Sequence, residues 1–350
     1  MIDIIEAQQL ILEATPILNH ESVPLLDSLR RVLARDIVAT EDYPASDIST
    51  KDGYALRHVS LRKASAKCPV HLKIIGESAA GRPCDVTVEA GDAVRIMTGG
   101  MVPEGADTVV SLEVATEDRG FIICVNGSNR GSNIRFQGAL QKKGDVVFRA
   151  GFVISPLEIG ALASLRRAYV SVHRKPLVAI LTTGDELTDF HEPFSPWKTM
   201  SSNLYSLAAQ VLEAGATPLC IGIVKDELET LQSHLSEALR ADVIITSGGM
   251  SKGKYDLVQE TFASLGMDMK LSPLLGKPGK PSIFGKIGDS LVFGLPGSPT
   301  AAMISFEQFI KPALLKMMGH SNTLKRFHIH QELNEPQMEM ITHEICRNRI

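Results

Sequence analysis

The alternation of short apolar runs with longer amphipathic segments across residues 175–319 restricts the fold more than any other feature of the sequence. Residues 177–181 form an unbroken apolar run, as expected of a parallel strand that is buried on both faces. The alternation predicts a doubly wound α/β domain, whose ligand site should lie at the carboxyl ends of its strands. Within it the sequence predicts strands at 177–181, 218–224, 243–246 and 290–293, and helices at 203–214, 227–240, 257–265 and 299–319.

The rest of the chain has a different pattern. Residues 44–126 carry short strand-like runs separated by Gly, Pro and Asp, which predicts a small β-rich domain. Helical patterns flank it at residues 4–14 and 29–33, and a further helix should begin at residues 155–158, where Ser, Pro and Glu occupy the N-cap, N1 and N3 positions. If these helices meet, the β-rich domain is an insertion into a helical stalk.

Composition and charge limit the classes of function. Apolar residues make up 44% of the chain and charged residues 22%, which is typical of globular proteins. The formal net charge of −4 argues against a nucleic-acid partner bound through bulk charge. No apolar run approaches the roughly 18 residues of a membrane helix, and five scattered cysteines indicate neither a disulfide framework nor a zinc site. We therefore expect a soluble, cytoplasmic, multidomain protein with no nucleic-acid or membrane partner.

Three glycine-containing loops, residues 182–186, 247–251 and 294–299, follow predicted strands and should converge at one edge of the sheet. Glycine lets backbone N–H groups approach an anion, and each following helix adds partial positive charge. Any one loop could be a simple turn, but together they favour a phosphate or another oxyanion. The P-loop and Rossmann fingerprints are absent, so the phosphate must be held differently. The candidate binding residues are Ser247, Gly248, Gly249, Ser251, Pro296, Gly297, Ser298 and Pro299.

The most specific basic feature is the lysine pair of the segment Lys277-Pro278-Gly279-Lys280-Pro281. Two prolines stiffen the segment, while Gly279 allows a sharp bend. Two preorganised ammonium groups suit one compact oxyanion. The alternative interpretation is an exposed turn with solvated lysines.

Carboxylates beside a phosphate site point to Mg²⁺, which prefers oxygen ligands. Three candidates, Glu186, Asp226 and Asp256, belong to the α/β segment, and Asp52 belongs to the β-rich segment, where Thr98 adds a hydroxyl. Three of these five residues could instead have a purely structural role. Asp52 could form a hairpin turn, Asp226 could cap a helix, and Thr98 could lie in a strand-end turn.

Taken together, these segments resemble the molybdopterin molybdenumtransferase family, the group of MoeA and the gephyrin E domain. They occur in the family's order between about residues 1 and 318. The matching stretches are Lys51-Asp52-Gly53-Tyr54-Ala55, Arg95-Ile96-Met97-Thr98-Gly99, Val102-Pro103-Glu104-Gly105-Ala106-Asp107, Thr183-Gly184-Asp185-Glu186-Leu187, Ser247-Gly248-Gly249, the lysine-pair segment, and Gly294-Leu295-Pro296-Gly297-Ser298-Pro299.

The resemblance implies an elongated homodimer with several domains. A helical stalk would comprise residues 1–43 and 139–174, an inserted β-rich domain 44–138, and a molybdopterin-binding α/β domain 175–319. Residues 320–350 would be the remnant of a C-terminal β domain that is otherwise missing. The implied reaction inserts molybdenum from molybdate into adenylylated molybdopterin (molybdopterin-AMP) with release of AMP, assisted by Mg²⁺. A molybdopterin adenylyltransferase would be the upstream donor.

The resemblance also implies a role for each candidate residue. The 247–249 turn and the 294–299 loop would hold the pterin and its phosphates, and the lysine pair would hold molybdate. The three α/β carboxylates would position Mg²⁺ and the adenylyl phosphate. Asp52 and Thr98 would reach the cleft from the β-rich domain, that of the other subunit.

The sequence also departs from the family pattern. A Gly-Glu-Asp motif expected after Asn133-Ile134-Arg135 is replaced by Gly138-Ala139-Leu140, and Ser201 stands where an acidic residue is common. Fewer carboxylates and a short C-terminal segment would weaken the transferase. Three hypotheses therefore stand: a working transferase, a non-catalytic pterin-binding or interaction scaffold, and an adenylyltransferase, against which the β-rich segment argues.

Overall fold

The computed structural model describes residues 4–248, 257–271 and 283–321. The chain forms two compact units, one built from the residues up to Arg35 and from Ala150 onward, the other from Asp36–Arg149. The domain boundaries inferred from the sequence remain predictions. No helix in the described part of the chain combines the length and the apolar character needed to cross a membrane.

Helices and strands occur in the following order: α1 (Ile4–Ala14), β1 (His20–Pro24), β2 (Ile37–Val38), β3 (Ile48–Ser49), β4 (Gly53–Leu56), β5 (Val70–Ser78), β6 (Asp92–Ile96), β7 (Thr108–Ser111), β8 (Ala115–Asp118), β9 (Phe121–Cys124), β10 (Ile134–Arg135), β11 (Val146–Phe148), α2 (Pro156–Ser164), β12 (Tyr169–His173), β13 (Leu177–Thr183), β14 (Leu187–Thr188), β15 (Thr199–Met200), α3 (Ser202–Glu213), β16 (Thr217–Val224), α4 (Leu228–Ala238), β17 (Val243–Ser247), α5 (Leu257–Ser264), β18 (Asp268–Leu271), β19 (Ile283–Ile287), β20 (Ser290–Leu295), α6 (Pro299–Ser305) and α7 (Lys311–Met317). Short 3₁₀ helices lie at Leu25–Ser28 and His58–Leu61, and a π-helical turn at Phe306–Ile310 joins α6 to α7.

The first unit is built on a six-stranded mixed sheet of order β16-β13-β17-β20-β19-β18. The first four of these strands are mutually parallel, while β19 and β18 are antiparallel to their neighbours. Alternate residues of β13 pack on opposite faces: Val178 and Ile180 contact the cluster that includes α3, α6 and α7, whereas Ala179 and Leu181 contact the cluster of α4 and α5. Helices on both faces confirm the predicted doubly wound α/β arrangement.

Two expectations about secondary structure in this unit were incomplete or wrong. The antiparallel strands β18 and β19 were not predicted. The short helix expected around residues 29–33 is absent, because Arg30 has a φ of +64° and Val32 and Leu33 instead form bridges with Val153 and Val172. A left-handed residue interrupts a right-handed helix.

Helix α2 begins as the sequence predicts. The N-cap Ser155 hydroxyl accepts the Leu157 N–H at 3.2 Å, and the Glu158 carboxylate accepts the Ser155 N–H at 2.9 Å. Nearby, the N–H of Arg30 donates to the carbonyl of Ile154 at 2.8 Å and that of Leu33 donates to Phe152 at 2.9 Å. The segments before and after the second unit are therefore hydrogen-bonded to each other.

The second unit, Asp36–Arg149, is dominated by strands, as predicted. Its main sheet has the order β7-β4-β6-β5-β9-β8, and two small ladders pair β3 with β10 and β2 with β11. Leu56, Leu72 and Ile122, on three different strands, share one buried apolar cluster.

Candidate functional site

A cavity of about 160 Å³ opens at the carboxyl ends of β13, β17 and β20, where the sequence predicts a ligand site. Its wall combines hydroxyl and amide groups with apolar surface of about equal extent. The lining residues are Thr182, Thr183, Glu186, Leu187, Thr199, Met200, Ser201, Ser202, Asn203, Ser247, Gly248, Gly297 and Pro299. This arrangement follows from the parallel strands, which direct their carboxyl ends to the same edge.

Asn203, in the first turn of α3, ties two of the predicted loops together. Its Nδ2 donates to the hydroxyl of Ser247 at 2.8 Å and to the carbonyl of Gly297 at 2.9 Å. The Ser247 hydroxyl in turn donates to the carbonyl of Pro296 at 3.1 Å. Because Asn203 and Ser247 are almost fully buried, these bonds fix the 294–299 loop against the end of β17.

A second buried contact fixes the start of α3 to the end of β13. The hydroxyls of Thr182 and Ser201 lie 2.9 Å apart, and both side chains are buried. Ser201 thus has a partner in this chain at the position where the resemblance implies an acidic residue.

Gly248 follows β17 and makes a close backbone approach. Its φ is +99°, and a Cβ there would lie 2.3 Å from the carbonyl oxygen of Thr183. The position accepts only glycine without a shift of the neighbouring strand. The predicted glycine of this loop therefore brings the ends of β13 and β17 together beneath the cavity.

Of the remaining binding candidates in the last loop, Gly297 and Pro299 line the cavity, and the carbonyl of Pro296 accepts from Ser247. Ser298 is the N-cap of α6, but its side chain makes no capping hydrogen bond. Pro299 is the first residue of α6, a position that proline favours, so it also has a structural role.

Glu186 lies at the rim of the same cavity. Its carboxylate packs over Gly184, where an added Cβ would be 2.6 Å from either carboxylate oxygen. Asp226 follows the neighbouring strand β16. Burial, and then the negative charges of Asp185 and Glu186, raise the pKa of Asp226. The structure thus places two of the three predicted α/β carboxylates within electrostatic range of each other.

The capping interpretation of Asp226 is wrong. Helix α4 begins at Leu228 with Glu227 as its N-cap, and no side chain makes a capping bond there. Asp226 therefore lies one residue too early, which leaves its carboxylate free of that structural role.

The carboxylates fit a magnesium ion only in part. Burial is the first cause of the raised pKa of Asp226, and the negative charges of Asp185 and Glu186, which a divalent cation would offset, are the second. However, within residues 4–248, 257–271 and 283–321, no three His, Cys, Asp or Glu side chains form a group that could hold a metal ion.

Asp52 and Thr98 form one local feature of the second unit. Asp52 Oδ1 accepts from the Thr98 N–H at 2.7 Å and from its hydroxyl at 2.9 Å, and these bonds lower the pKa of Asp52. The hairpin interpretation is wrong, because β4 pairs with β6 and β7 and not with β3. Gly53 is required for another reason, since a Cβ there would lie 2.0 Å from the carbonyl oxygen of Val110.

Several predicted site residues lie outside the described residues, and the structure does not test them. They are Gly249, Ser251, Asp256, Lys277, Gly279 and Lys280. The anchoring role of Asn203 and the cavity-lining Thr183 were missed by sequence reasoning. The available signal was the polar run Ser201-Ser202-Asn203 immediately before an amphipathic helix.

A cavity at the strand ends of a doubly wound sheet, in a chain with a second, strand-rich unit, defines an α/β protein with a cavity at the edge where proteins of this fold class bind ligands. Comparison with known proteins identifies the protein family. Residues 2–165 match the family model of the MoeA N-terminal region (domain I and II), and residues 179–316 match that of a probable molybdopterin binding domain.

Similar proteins agree with these matches. The chain is 38% identical over 299 residues to the molybdopterin molybdenumtransferase of Bacillus subtilis, covering 84% of this chain and 70% of the relative. It is 36% identical over 305 residues to that of Nostoc, covering 86% and 70%. A crystal structure of the molybdopterin biosynthesis MoeA protein from Pyrococcus horikoshii superposes with a TM-score of 0.82 at 30% identity, covering 91% of this chain and 81% of that one. The chain belongs to the molybdopterin molybdenumtransferase family.

Proposed function

We propose that this chain transfers molybdenum from molybdate into adenylylated molybdopterin and releases AMP. Membership of the family makes it a transferase of molybdenum cofactor biosynthesis. The observation that carries the finer proposal is the strand-end cavity, where hydroxyl, amide and backbone groups from three loops meet beside two carboxylates.

The residues of this cavity hold and orient the reactants. The Asn203–Ser247–Pro296 hydrogen bonds fix the loops before the ligand arrives, so little freedom is lost on binding. Hydroxyl and backbone groups around Gly248 receive the pterin and its phosphate, while the lysine pair, Lys277 and Lys280, is proposed to hold molybdate. The reaction then depends on orientation and on neutralising the charge of the leaving AMP.

Glu186 and Asp226, with Asp256, are the proposed residues for Mg²⁺. The negative charges of Asp185 and Glu186, which act on the buried Asp226 carboxyl, support this assignment. When bound, the ion would neutralise phosphate oxygens of the substrate. Asp52 and Thr98 are proposed to complete the site from the β-rich unit of a second subunit.

A homodimer is the proposed assembly, and exposed apolar side chains support it. Leu26, Leu157 and Tyr169 are 76%, 78% and 66% exposed, and they lie on neighbouring elements of the first unit. Apolar groups grouped in this way are typical of protein interfaces. Light scattering should report twice the chain mass for the native protein, and Leu157→Asp should shift it toward the monomer. We further propose a cytoplasmic location and a molybdopterin adenylyltransferase as the donor.

The experiment is an AMP-release assay with molybdopterin-AMP, molybdate and Mg²⁺. The native chain should release AMP, and Glu186→Gln should reduce the rate about a hundredfold or more, because a charge that positions the phosphate is lost. Glu237→Gln is the matched control, since the exposed Glu237 carboxylate lies 3.2 Å from Arg240 at the end of α4 and does not line the cavity. No AMP release by the native chain would refute the proposal. Pterin binding without turnover would favour the scaffold alternative, which rests on the Ala139-Leu140 departure from the family pattern.

A further inference from the structure

A short segment beside the cavity exposes two large aromatic side chains. Residues 189–198, here called the aromatic strap, connect β14 to β15, which pair in parallel. Phe194 is 91% exposed and Trp197 is 88% exposed. Trp197 is the single tryptophan of the chain. Aromatic side chains are seldom left this exposed without a partner.

The strap is anchored at both ends. At its start, Tyr205 of α3 donates to the Asp189 carboxylate at 2.6 Å, and the rings of Phe190 and Tyr205 lie 5.1 Å apart. At its end, the N–H of Thr199 donates to the carbonyl of Glu186 at 2.8 Å. The exposed aromatic side chains are thus carried on a fixed frame.

The two short strands that flank the strap, β14 and β15, form part of the cavity wall. Leu187, Thr199 and Met200 line the cavity. Trp197 precedes Thr199 by two residues, so the two Cα atoms are at most about 7 Å apart. An indole on that backbone is within reach of a ligand that fills the cavity and protrudes from it.

The hydroxyl and amide groups of the cavity wall and the exposed indole of Trp197 together indicate what kind of ligand fits. The hydroxyl and amide groups of Thr183, Ser202 and Asn203 suit the edge of a planar ring that both donates and accepts hydrogen bonds. An indole offers such a ring a stacking face, and stacking of this kind tolerates many ring types. A pterin ring has both properties.

We propose that Trp197 stacks on the pterin ring of the ligand bound in the strand-end cavity and is a further ligand-binding residue of that site. The inference rests on the proposed function, because the ligand is the molybdopterin of that reaction. The adenine ring of the AMP group is the competing occupant, and it should not depend on Trp197.

The test measures binding of molybdopterin and of AMP separately, by calorimetry, to the full-length protein. Trp197→Ala should weaken molybdopterin binding about ten- to a hundredfold and leave AMP binding unchanged, as expected for loss of one stacked ring. Trp197→Phe keeps an aromatic face and should stay within about threefold of the native protein. Leu212→Ala is the matched control, because Leu212 is 62% exposed on α3 and does not line the cavity.

The outcomes separate this inference from the proposed function. Unchanged molybdopterin binding by Trp197→Ala, with AMP release intact in the native protein, would overturn the stacking role alone. Loss of AMP binding instead of molybdopterin binding would overturn the assignment to the pterin. If the native protein binds no molybdopterin, the proposed function fails and the stacking role fails with it.

Discussion

The hydrogen bond between Asn203 and Ser247 makes a quantitative prediction about the candidate site. Asn203→Ala removes two buried bonds, to Ser247 at 2.8 Å and to the Gly297 carbonyl at 2.9 Å. Each such bond contributes about 1 kcal/mol net, so the free energy of unfolding should fall by about 2–3 kcal/mol. Ser247→Ala also removes two bonds, to Asn203 and to the Pro296 carbonyl, and should cost about 2 kcal/mol.

The two variants share one bond, so their effects should not add. The double variant should be about 1 kcal/mol more stable than the sum of the single losses predicts. Urea unfolding followed by far-ultraviolet circular dichroism is the suitable assay, because α1 to α7 all lie in the first unit and dominate the helical signal. The matched control is a second double variant, Asn203→Ala with Ser155→Ala. The bond between Ser155 and Leu157 does not involve Asn203 or its partner Ser247, so these two losses should add.

The coupling between the two substitutions tests whether Asn203 and Ser247 share a hydrogen bond. If the losses of Asn203→Ala and Ser247→Ala add within about 0.5 kcal/mol, the two side chains do not act through a common bond. Asn203 and Ser247 would then hold the 294–299 loop independently, through the carbonyls of Gly297 and Pro296. Asn203→Ala should also weaken molybdopterin binding, since the 294–299 loop loses its anchor.

Two further predictions concern backbone geometry and pH. Gly248→Ala should destabilise the first unit and abolish ligand binding, because the new Cβ would clash with the Thr183 carbonyl. Gly266 has a φ of +78° but open space around it, so Gly266→Ala should cost only about 1 kcal/mol in urea unfolding. Equal losses for the two variants would contradict the proposed clash with Thr183. Hydrogen bonds from Ser155 lower the pKa of Glu158, so its contribution to stability should be complete at neutral pH and be lost as the pH falls through the lowered value. Glu158→Gln should therefore flatten the acid limb of a plot of melting temperature against pH, and an unchanged limb would contradict this.

Elements with a strong local signal were predictable. The unbroken apolar run of β13 and the Ser-Pro-x-Glu start of α2 each determine structure within a few residues, and both occur as expected. The antiparallel strands β18 and β19 were missed, although the two-residue turn Gly288-Asp289 between β19 and β20 is a local hairpin signal. The helix expected around Val32 failed because the backbone of Val32 forms a β-bridge with Val153, which is far away in sequence.

The candidate site was predictable in its position but not in its internal contacts. Parallel strands direct the loops at Gly184, Gly248 and Gly297 to one edge whatever their side chains are, so topology alone locates the cavity. Asn203 lies on a helix whose sequence signals only an amphipathic pattern. Its partner Ser247 is 44 residues away, so the bond depends on how α3 packs on the sheet.

The second unit is inserted between two hydrogen-bonded segments of the first, and this has a consequence for biosynthesis on the ribosome. Strand β1 and the segment around Leu33 find their partners, β12 and Phe152, only after the whole of residues 36–149 has been translated. The N-terminal segment of the nascent chain remains without its partners during this time, whereas the strand-rich unit, whose strands pair with one another, can fold first. Once residues 36–149 have folded, they connect the segments before and after them as a short loop would. Less conformational entropy is therefore lost when those two segments pair.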